Sequence, residues 1–423
     1  MKVLLITYYW PPAGGSGVQR WLKFVKYLPE FGVEPIVYTV KDPDYAITDE
    51  TLLDEIPEDL EVIRESIFEP GMILSGIGKK GKDRGAGFLN PNPTFIERQI
   101  QYVRANYFIP DAKKFWIKPS VKKLSEYLEA HEVDVLITTG PPHSLHLIGD
   151  ALKKKFGIRW LADFRDPWTN IDYFHSLPLT KKSAKKHHEL ESMVLRNADK
   201  VLVVGKTMKE EFSDRNEKVF VLTNGFDDFE QYDGISLDQE FSISHIGLMN
   251  ADRNPVALWS ALGELADESD DFKRDLQIKL VGKCADEVYK SIEENGLTDQ
   301  VAFKGYVSHR DVLRYQQSSQ VLLICVNKVP SARSLITGKV FEYLQSKRPI
   351  LGIGPTDGDL AEILHETKTG QMVDFDDLKS LKKVIRQYYK NFKAGNLAEA
   401  PQNVEQYHRK NLTEKLAKLL KEM

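Results

Sequence analysis

The 423-residue chain carries 58 lysines and arginines against 62 aspartates and glutamates, and a formal charge of −4 excludes the overall basicity of a nucleic-acid-coating protein. With 42% hydrophobic and 28% charged residues it is neither disordered nor fibrous, and its length exceeds one ordinary core, so two domains are expected. Two cysteines, Cys284 and Cys325, are too few for a disulfide framework or a cysteine zinc site, which makes a reducing cytoplasm the expected compartment.

The opening MKVLLITYYWPPAGG lacks the length and cleavage pattern of a secretion signal and reads as a first buried strand over residues 2–9. Residues 11–17 (PPAGGSG) form a glycine-rich loop before a helix that turns Trp21, Leu22, Val25 and Leu28 inward; Gly32 ends it, and 33–40 (VEPIVYTV) is the next strand. Strand, loop, helix and strand make a βαβ unit, whose ligands collect at the carboxyl ends of the strands, where Gly14, Gly15 and Gly17 fall. Small residues there let another group approach the backbone, although a tight turn without a ligand uses glycine equally well. The spacing is neither G-x-G-x-x-G nor a P-loop.

Residues 66–118 interrupt the alternation. The piece 76–87 (GIGKKGKDRGAG) reads as a mobile loop, and after it Phe95, Tyr102, Tyr107, Phe108, Phe115 and Trp116 interleave with Arg98, Arg104, Lys113, Lys114 and Lys118. Such a mixture fits an anionic membrane headgroup zone or a lipid-linked or carbohydrate acceptor. It equally fits an insertion whose aromatics pack inward beneath solvated bases. No run approaches the ~18 apolar residues that span a bilayer.

Residues 133–139 read as a strand leading to Gly140-Pro141-Pro142-His143, and 160–164 as another that ends in Asp163, Arg165 and Asp166. Polar groups at successive strand ends suit an acceptor-side site. A structural ion-pair knot of Asp163, Arg165 and Asp166, with His143 capping the next helix, satisfies the same residues. The acidic stretch 227–240 is the best interdomain linker, and a second alternating series follows.

In that series a strand at 241–246 ends in Gly247, and Arg253 and Asn254 precede a helix begun by Pro255, a position for a phosphate clamp. Thr337 and Gly338 then open a short helix that carries Lys339 and Glu342 on one face, followed by a buried strand after Pro349. A helix start beside a lysine suits a diphosphate, and a carboxylate three residues on suits two ribose hydroxyls. The same spacing also describes an ordinary lysine–glutamate surface pair.

Taken together, these stretches resemble glycosyltransferase family 4. Lys339, Phe341, Glu342, Tyr343 and Pro349 match its K-x-F-E-Y-x-x-x-x-x-P run, in which the glutamate holds the donor ribose, while Ser334 stands where the family has a second glutamate. The loop at Gly14, Gly15 and Gly17 resembles the one that faces the donor diphosphate, and the Gly247 to Asn254 loop resembles the one that opens the second domain. Arg165 or Asp166 occupies the place of a donor-sugar contact that is often histidine.

The resemblance implies an α/β fold of two Rossmann-like domains facing across a cleft, the GT-B arrangement. Residues 1–228 would be the acceptor domain with its insertion at about 66–118, residues 229–240 the linker, 241–400 the nucleotide-sugar domain, and 401–423 a helix crossing back to the first domain. It further implies retaining transfer from a nucleoside diphosphate sugar to a glycan or lipid-linked hydroxyl, of the kind that builds bacterial cell-surface polysaccharide. Arg253 and Lys339, with Arg165 and Asp166, are the expected catalytic groups, and Gly15, Gly17, Gly247, Asn254, Thr337, Gly338 and Glu342 the expected donor-binding groups. His143 and Asp163 are expected on the acceptor side. The chain's own cations would neutralise the leaving diphosphate, so neither metal nor cofactor is expected. The expected place is cytoplasmic, peripheral to an anionic membrane face, with no nucleic-acid partner. A sugar-nucleotide epimerase, a phosphorylase and a non-catalytic nucleotide-sugar sensor are the rival readings on this fold.

Overall fold

The structure, a computed structural model, describes residues 1–43, 45–68, 94–228, 235–397 and 400–423. The expected mobile loop at 76–87 and the linker residues 229–234 lie outside the described residues. The chain divides into two compact units, Met1–Gly225 with Arg409–Met423, and Phe226–His408.

In the first unit the elements run β1 (Lys2–Ile6), α1 (Ser16–Tyr27), β2 (Glu34–Lys41), β3 (Glu61–Ser66), α2 (Phe95–Tyr107), α3 (Ile117–Ala130), β4 (Val135–Gly140), α4 (Ser144–Phe156), β5 (Arg159–Phe164), α5 (Lys181–Asn197), β6 (Lys200–Val203), α6 (Lys206–Phe212) and β7 (Val219–Val221). The strands form one parallel sheet in the order β3-β2-β1-β4-β5-β6-β7. Its strands read as continuous apolar runs because both faces are covered. In β1, Val3 and Leu5 enter a layer with Trp21, Leu22 and Val25 of α1, while Leu4 and Ile6 enter the opposite layer with Leu124 of α3, Leu152 of α4 and Val194 of α5.

The second unit continues with β8 (Phe241–Ile246), α7 (Val256–Glu268), α8 (Asp270–Asp275), β9 (Leu276–Val281), α9 (Asp286–Glu294), β10 (Val301–Lys304), α10 (His309–Ser318), β11 (Val321–Cys325), α11 (Lys339–Ser346), β12 (Ile350–Ile353), α12 (Asp359–Thr367), β13 (Gly370–Val373) and α13 (Leu378–Lys393). Its parallel sheet has the order β10-β9-β8-β11-β12-β13. Phe241 and Ile243 of β8 pack toward Trp259 and Leu262 of α7 and Ile385 of α13, and Leu322 and Ile324 of β11 pack on the other face toward Val340 and Leu344 of α11. In both sheets the chain reverses its direction of winding after its third strand and returns beside the first, so that β1 lies next to β4 and β8 next to β11, which is where a parallel sheet opens a crevice for ligands.

The last helix, α14 (Arg409–Lys421), belongs to the first unit, where Leu412, Leu416 and Leu420 join the layer of α1. Lys200 fixes it by donating from Nζ to the Leu419 carbonyl at 2.9 Å.

One buried ion pair ties this unit together. Arg20 Nη2 meets Asp163 Oδ1 at 2.9 Å with both side chains almost wholly out of solvent, and the same guanidinium donates to the carbonyls of Leu222 at 2.8 Å and Thr223 at 2.9 Å. Trp21 Nε1 at 2.7 Å and Thr139 Oγ1 at 2.8 Å complete the shell of Asp163 Oδ2. A buried charge that loses its partner keeps its desolvation cost. Arg20→Met is therefore expected to lower the unfolding free energy by about 3–5 kcal/mol in urea titrations. A cost near zero would show that Asp163 does not depend on this arginine.

Candidate active site

The carboxyl end of the second sheet gathers cations around a glycine. Gly247 follows β8 with φ of 120°, a region that L side chains avoid. Lys339, the first residue of α11, lies over its bare Cα: a Cβ built on Gly247 would fall 2.6 Å from both Cε and Nζ. Tyr343 of α11 accepts from the Ile246 amide at 3.2 Å, which fixes the helix against the strand end.

Lys339 Nζ sits 3.3 Å from Nε2 of His245. Nδ1 of His245 faces the Leu323 carbonyl at 3.2 Å and Nε2 the Leu248 carbonyl at 3.3 Å; because the ammonium beside Nε2 can only donate, we assign the ring proton to Nδ1, and Nε2 offers its lone pair to Lys339. Burial, and next to it the Lys339 charge, pushes this imidazole down to about 3 and keeps it neutral. Burial also lowers the Lys339 ammonium to about 8, with the positive charge of Arg253 as the second cause.

Arg253 ends a short turn, Ala251–Arg253, where Asn250 Oδ1 accepts from its backbone amide at 3.1 Å and Asn327 Oδ1 from its Nε at 2.6 Å. Among the described residues neither Nη of Arg253 has an acceptor, so the fork is open. The start of α11 carries no side-chain cap, and a Cβ on Gly338 would meet nothing within 4 Å. The Val340 amide returns to the Thr337 carbonyl at 3.1 Å, and the amides of Gly338 and Lys339 have no acceptor among the described residues. Glu342 is exposed and accepts from Gln316 Nε2 of α10 at 3.1 Å. Ser334 is buried and donates to the Ser331 carbonyl at 2.9 Å.

Asn254 does not join this group. Its Nδ2 donates to Ser291 Oγ at 2.9 Å and its Oδ1 accepts from Trp259 Nε1 at 2.7 Å, so it pins the loop to α9 and α7 and has no donor to spare for a ligand.

In the first unit Gly15 is exposed with φ of 94°, and nothing lies within 4 Å of a Cβ placed there. Gly17 is small for a different reason than a ligand: a Cβ there would lie 2.7 Å from Arg165 Cζ. Arg165 braces two strand-end loops by donating to the carbonyls of Gly17 at 2.9 Å and Pro141 at 3.0 Å, with Asp166 Oδ2 3.6 Å from its Nε. Asp163, expected on the acceptor side, is instead fully buried in the Arg20 network, and the knot it forms does not include Arg165 or Asp166.

His143 is buried and stacked on Trp168 with ring centroids 4.7 Å apart. It does not cap α4 through its side chain; Asp111 does, accepting from the Ser144 amide at 2.9 Å and the Ser144 hydroxyl at 2.6 Å. Burial takes the His143 imidazole well below its ordinary value and keeps it uncharged near neutrality.

The sequence contains Asp-x-Asp triplets, at 357/359 and 374/376 among the described residues, but Asp357 pairs with Arg333 at 3.2 Å and Asp376 with Lys328 at 2.6 Å. No group of three or more His, Cys, Asp or Glu able to hold a metal gathers among the described residues, and no described helix is long and apolar enough to cross a membrane.

Sequence reading missed His245, Asn327 and Gln316, which hold Lys339, Arg253 and Glu342 in place. The first two stand at or just beyond strand ends, the same signal that pointed to Gly247.

Residues 83–228 match the family model described as Glycosyltransferase Family 4, and residues 240–391 the one described as Glycosyl transferases group 1. No curated protein matches the chain by sequence. Similar solved structures include sucrose-phosphate synthase from Thermosynechococcus elongatus, at 15% identity over 100% of this chain and 98% of that one with a TM-score of 0.60. HepE of Anabaena in complex with UDP and glucose matches at 15% identity over 100% of both chains with a TM-score of 0.60. The lipopolysaccharide outer core galactosyltransferase WaaB matches at 13% identity over 100% of both chains with a TM-score of 0.60. At such identities the likeness is one of fold, and it defines the class: two Rossmann-like α/β domains of the GT-B type. With the family matches added, the chain is a glycosyl transferase, and a family 4-like one.

Between about 8 and its ordinary 10.5, the folded Lys339 is deprotonated while the unfolded one still binds a proton. Unfolding free energy should therefore rise with pH across that window, by about 3 kcal/mol, and Lys339→Met should remove the rise. Urea titrations at steps from neutral to alkaline pH check this; parallel curves for the two proteins would contradict the buried ammonium.

Proposed function

We propose that this glycosyl transferase moves a sugar from a nucleoside diphosphate sugar to a hydroxyl of a glycan or lipid-linked acceptor, with retention of configuration and without a metal. The observation that carries the reading is Lys339 laid over Gly247 with Arg253 beside it, two cations at the carboxyl end of a parallel sheet. As the anomeric C–O bond breaks, its electron pair stays on the departing diphosphate, while the acceptor oxygen bonds to the anomeric carbon and passes its proton to that diphosphate. Positive groups already in position stabilise that charge without reorganising.

Lys339 meets the charge from the start of α11, where the amides of Gly338 and Lys339 and the Thr337 hydroxyl add donors. Arg253 presents the open side of its fork, which suits two phosphate oxygens at once. His245, neutral beneath the ammonium, holds it in place without adding a second charge to a crowded spot. Glu342 accepts from the ribose hydroxyls, with Gln316 steadying its carboxylate. In the first unit family likeness assigns Arg165 or Asp166 to the donor sugar and Gly15, in the loop ahead, to the donor diphosphate. A HepE complex that holds UDP and glucose agrees with a donor of this type. Asp163 and Asn254 have no part in the reading, since their polar atoms serve the protein itself.

A thermal-shift series with nucleoside diphosphates tests the site directly, since a ligand that binds only the folded chain raises its melting temperature. Lys339→Met and Glu342→Gln are each expected to weaken nucleotide binding by roughly tenfold to a hundredfold, the loss of one charged hydrogen bond. Equal affinity in both variants and the parent would sink the assignment. For the reaction itself, excess chelator is expected to leave the acceptor-dependent release of nucleoside diphosphate unchanged; a loss that manganese restores would overturn the metal-independent part.

A further inference from the structure

Helix α2 is amphipathic with its sides exchanged. Ile96, Ile100, Val103 and Tyr107 recur at helical spacing and so share one face, and they are 70%, 45%, 45% and 66% exposed. The partly covered side is instead that of Glu97, Gln101 and Ala105, and no residue of the helix is buried. Polar residues hold it in place: Thr94 and Glu97 form a reciprocal cap, and Asn106 donates to the Pro178 carbonyl and accepts from the Thr180 amide, both at 2.8 Å. Four aligned apolar side chains turned to solvent by a polar anchorage are an apolar face without a protein partner among the described residues.

The charge around that face says what it meets. From the start of α2 to the end of α3, residues 95–130, there are seven lysines and arginines and four acids, Glu97, Asp111, Glu126 and Glu129, a local charge of +3 in a chain whose total is −4. Arg98, Arg104, Lys118, Lys122 and Lys123 are exposed. Two copies of the chain meeting through this face would bring like charges together, which disfavours self-association. Phe95, 76% exposed, stands at the helix start and Tyr107 at its end, residue types that settle at a lipid headgroup boundary.

We infer that α2 lies on an anionic lipid surface, its Ile96–Tyr107 stripe entering the headgroup zone and the bases of α2 and α3 meeting lipid phosphates. This surface goes beyond sugar transfer and does not depend on it, because binding is measured without donor or acceptor.

Co-sedimentation of the full chain with vesicles decides the matter. Phosphatidylglycerol-rich vesicles should carry the protein down and pure phosphatidylcholine vesicles should not, with the difference shrinking as salt rises. Ile100→Glu with Val103→Glu, and separately Lys118→Gln with Lys122→Gln and Lys123→Gln, should each reduce the bound fraction's partition constant by on the order of tenfold or more. The double glutamate variant should melt at the parental temperature. Equal sedimentation with both vesicle types would overturn the inference. A clear fall in melting temperature would mean that the stripe is covered by the chain itself, and a parental dimer that the same variant dissolves would mean a second copy; either result overturns it as well.

Discussion

The positive charge of Lys339 is kept where water cannot fully reach it, and the local construction follows from that constraint. An ammonium loses hydration when half-buried, and its proton becomes easier to remove. Gly247 makes room for the side chain, and a neutral His245 supplies an acceptor beneath it. Gly282, with φ of 117°, lies so close that a Cβ there would come within 2.6 Å of the Gly247 carbonyl oxygen. Two glycines nested in this way let the strand ends draw together below the lysine. What the arrangement holds in reserve is an incompletely solvated cation, and an arriving anion restores what burial removed.

The first unit repeats the device with a different cation. Arg165 rests against Gly17 as Lys339 rests against Gly247, and each glycine follows the strand on one side of the crevice in its own sheet. The guanidinium is more fully occupied, since two carbonyls and Asp166 share it. Arginine tolerates such use because its five donors point in a fixed plane and its charge does not titrate. In both places the glycine needed for close approach is approached first by the protein's own side chain.

Much of this organisation was legible in the chain. The runs at 2–9, 133–139 and 241–246 read as strands of parallel sheets, and strands form at Lys2–Ile6, Val135–Gly140 and Phe241–Ile246; the glycines and polar residues at their ends marked the ligand side of each sheet. Asp163 and Asn254 show where legibility stopped. Both stand at strand or loop positions suited to a ligand, yet Arg20 lies 143 residues from Asp163 and Ser291 lies 37 residues from Asn254. Local pattern specifies that a polar group sits at a strand end; it does not specify which distant donor reaches it first. Helix α2 shows a different limit, since periodicity reveals an apolar face and cannot say whether that face turns inward.

The first unit is not one continuous stretch of chain: α14 adds Leu412, Leu416 and Leu420 to a layer begun by Val3 and Leu5. During synthesis the first sheet must therefore wait, with one side of its core short of a helix, until residues 409–423 have been made. The second unit, one continuous stretch from Phe226 to His408, can close before then. Completion of the first unit thus follows that of the second, and a ribosome that stalls before residue 409 would release a chain with a finished second unit and an uncovered apolar strip on the first.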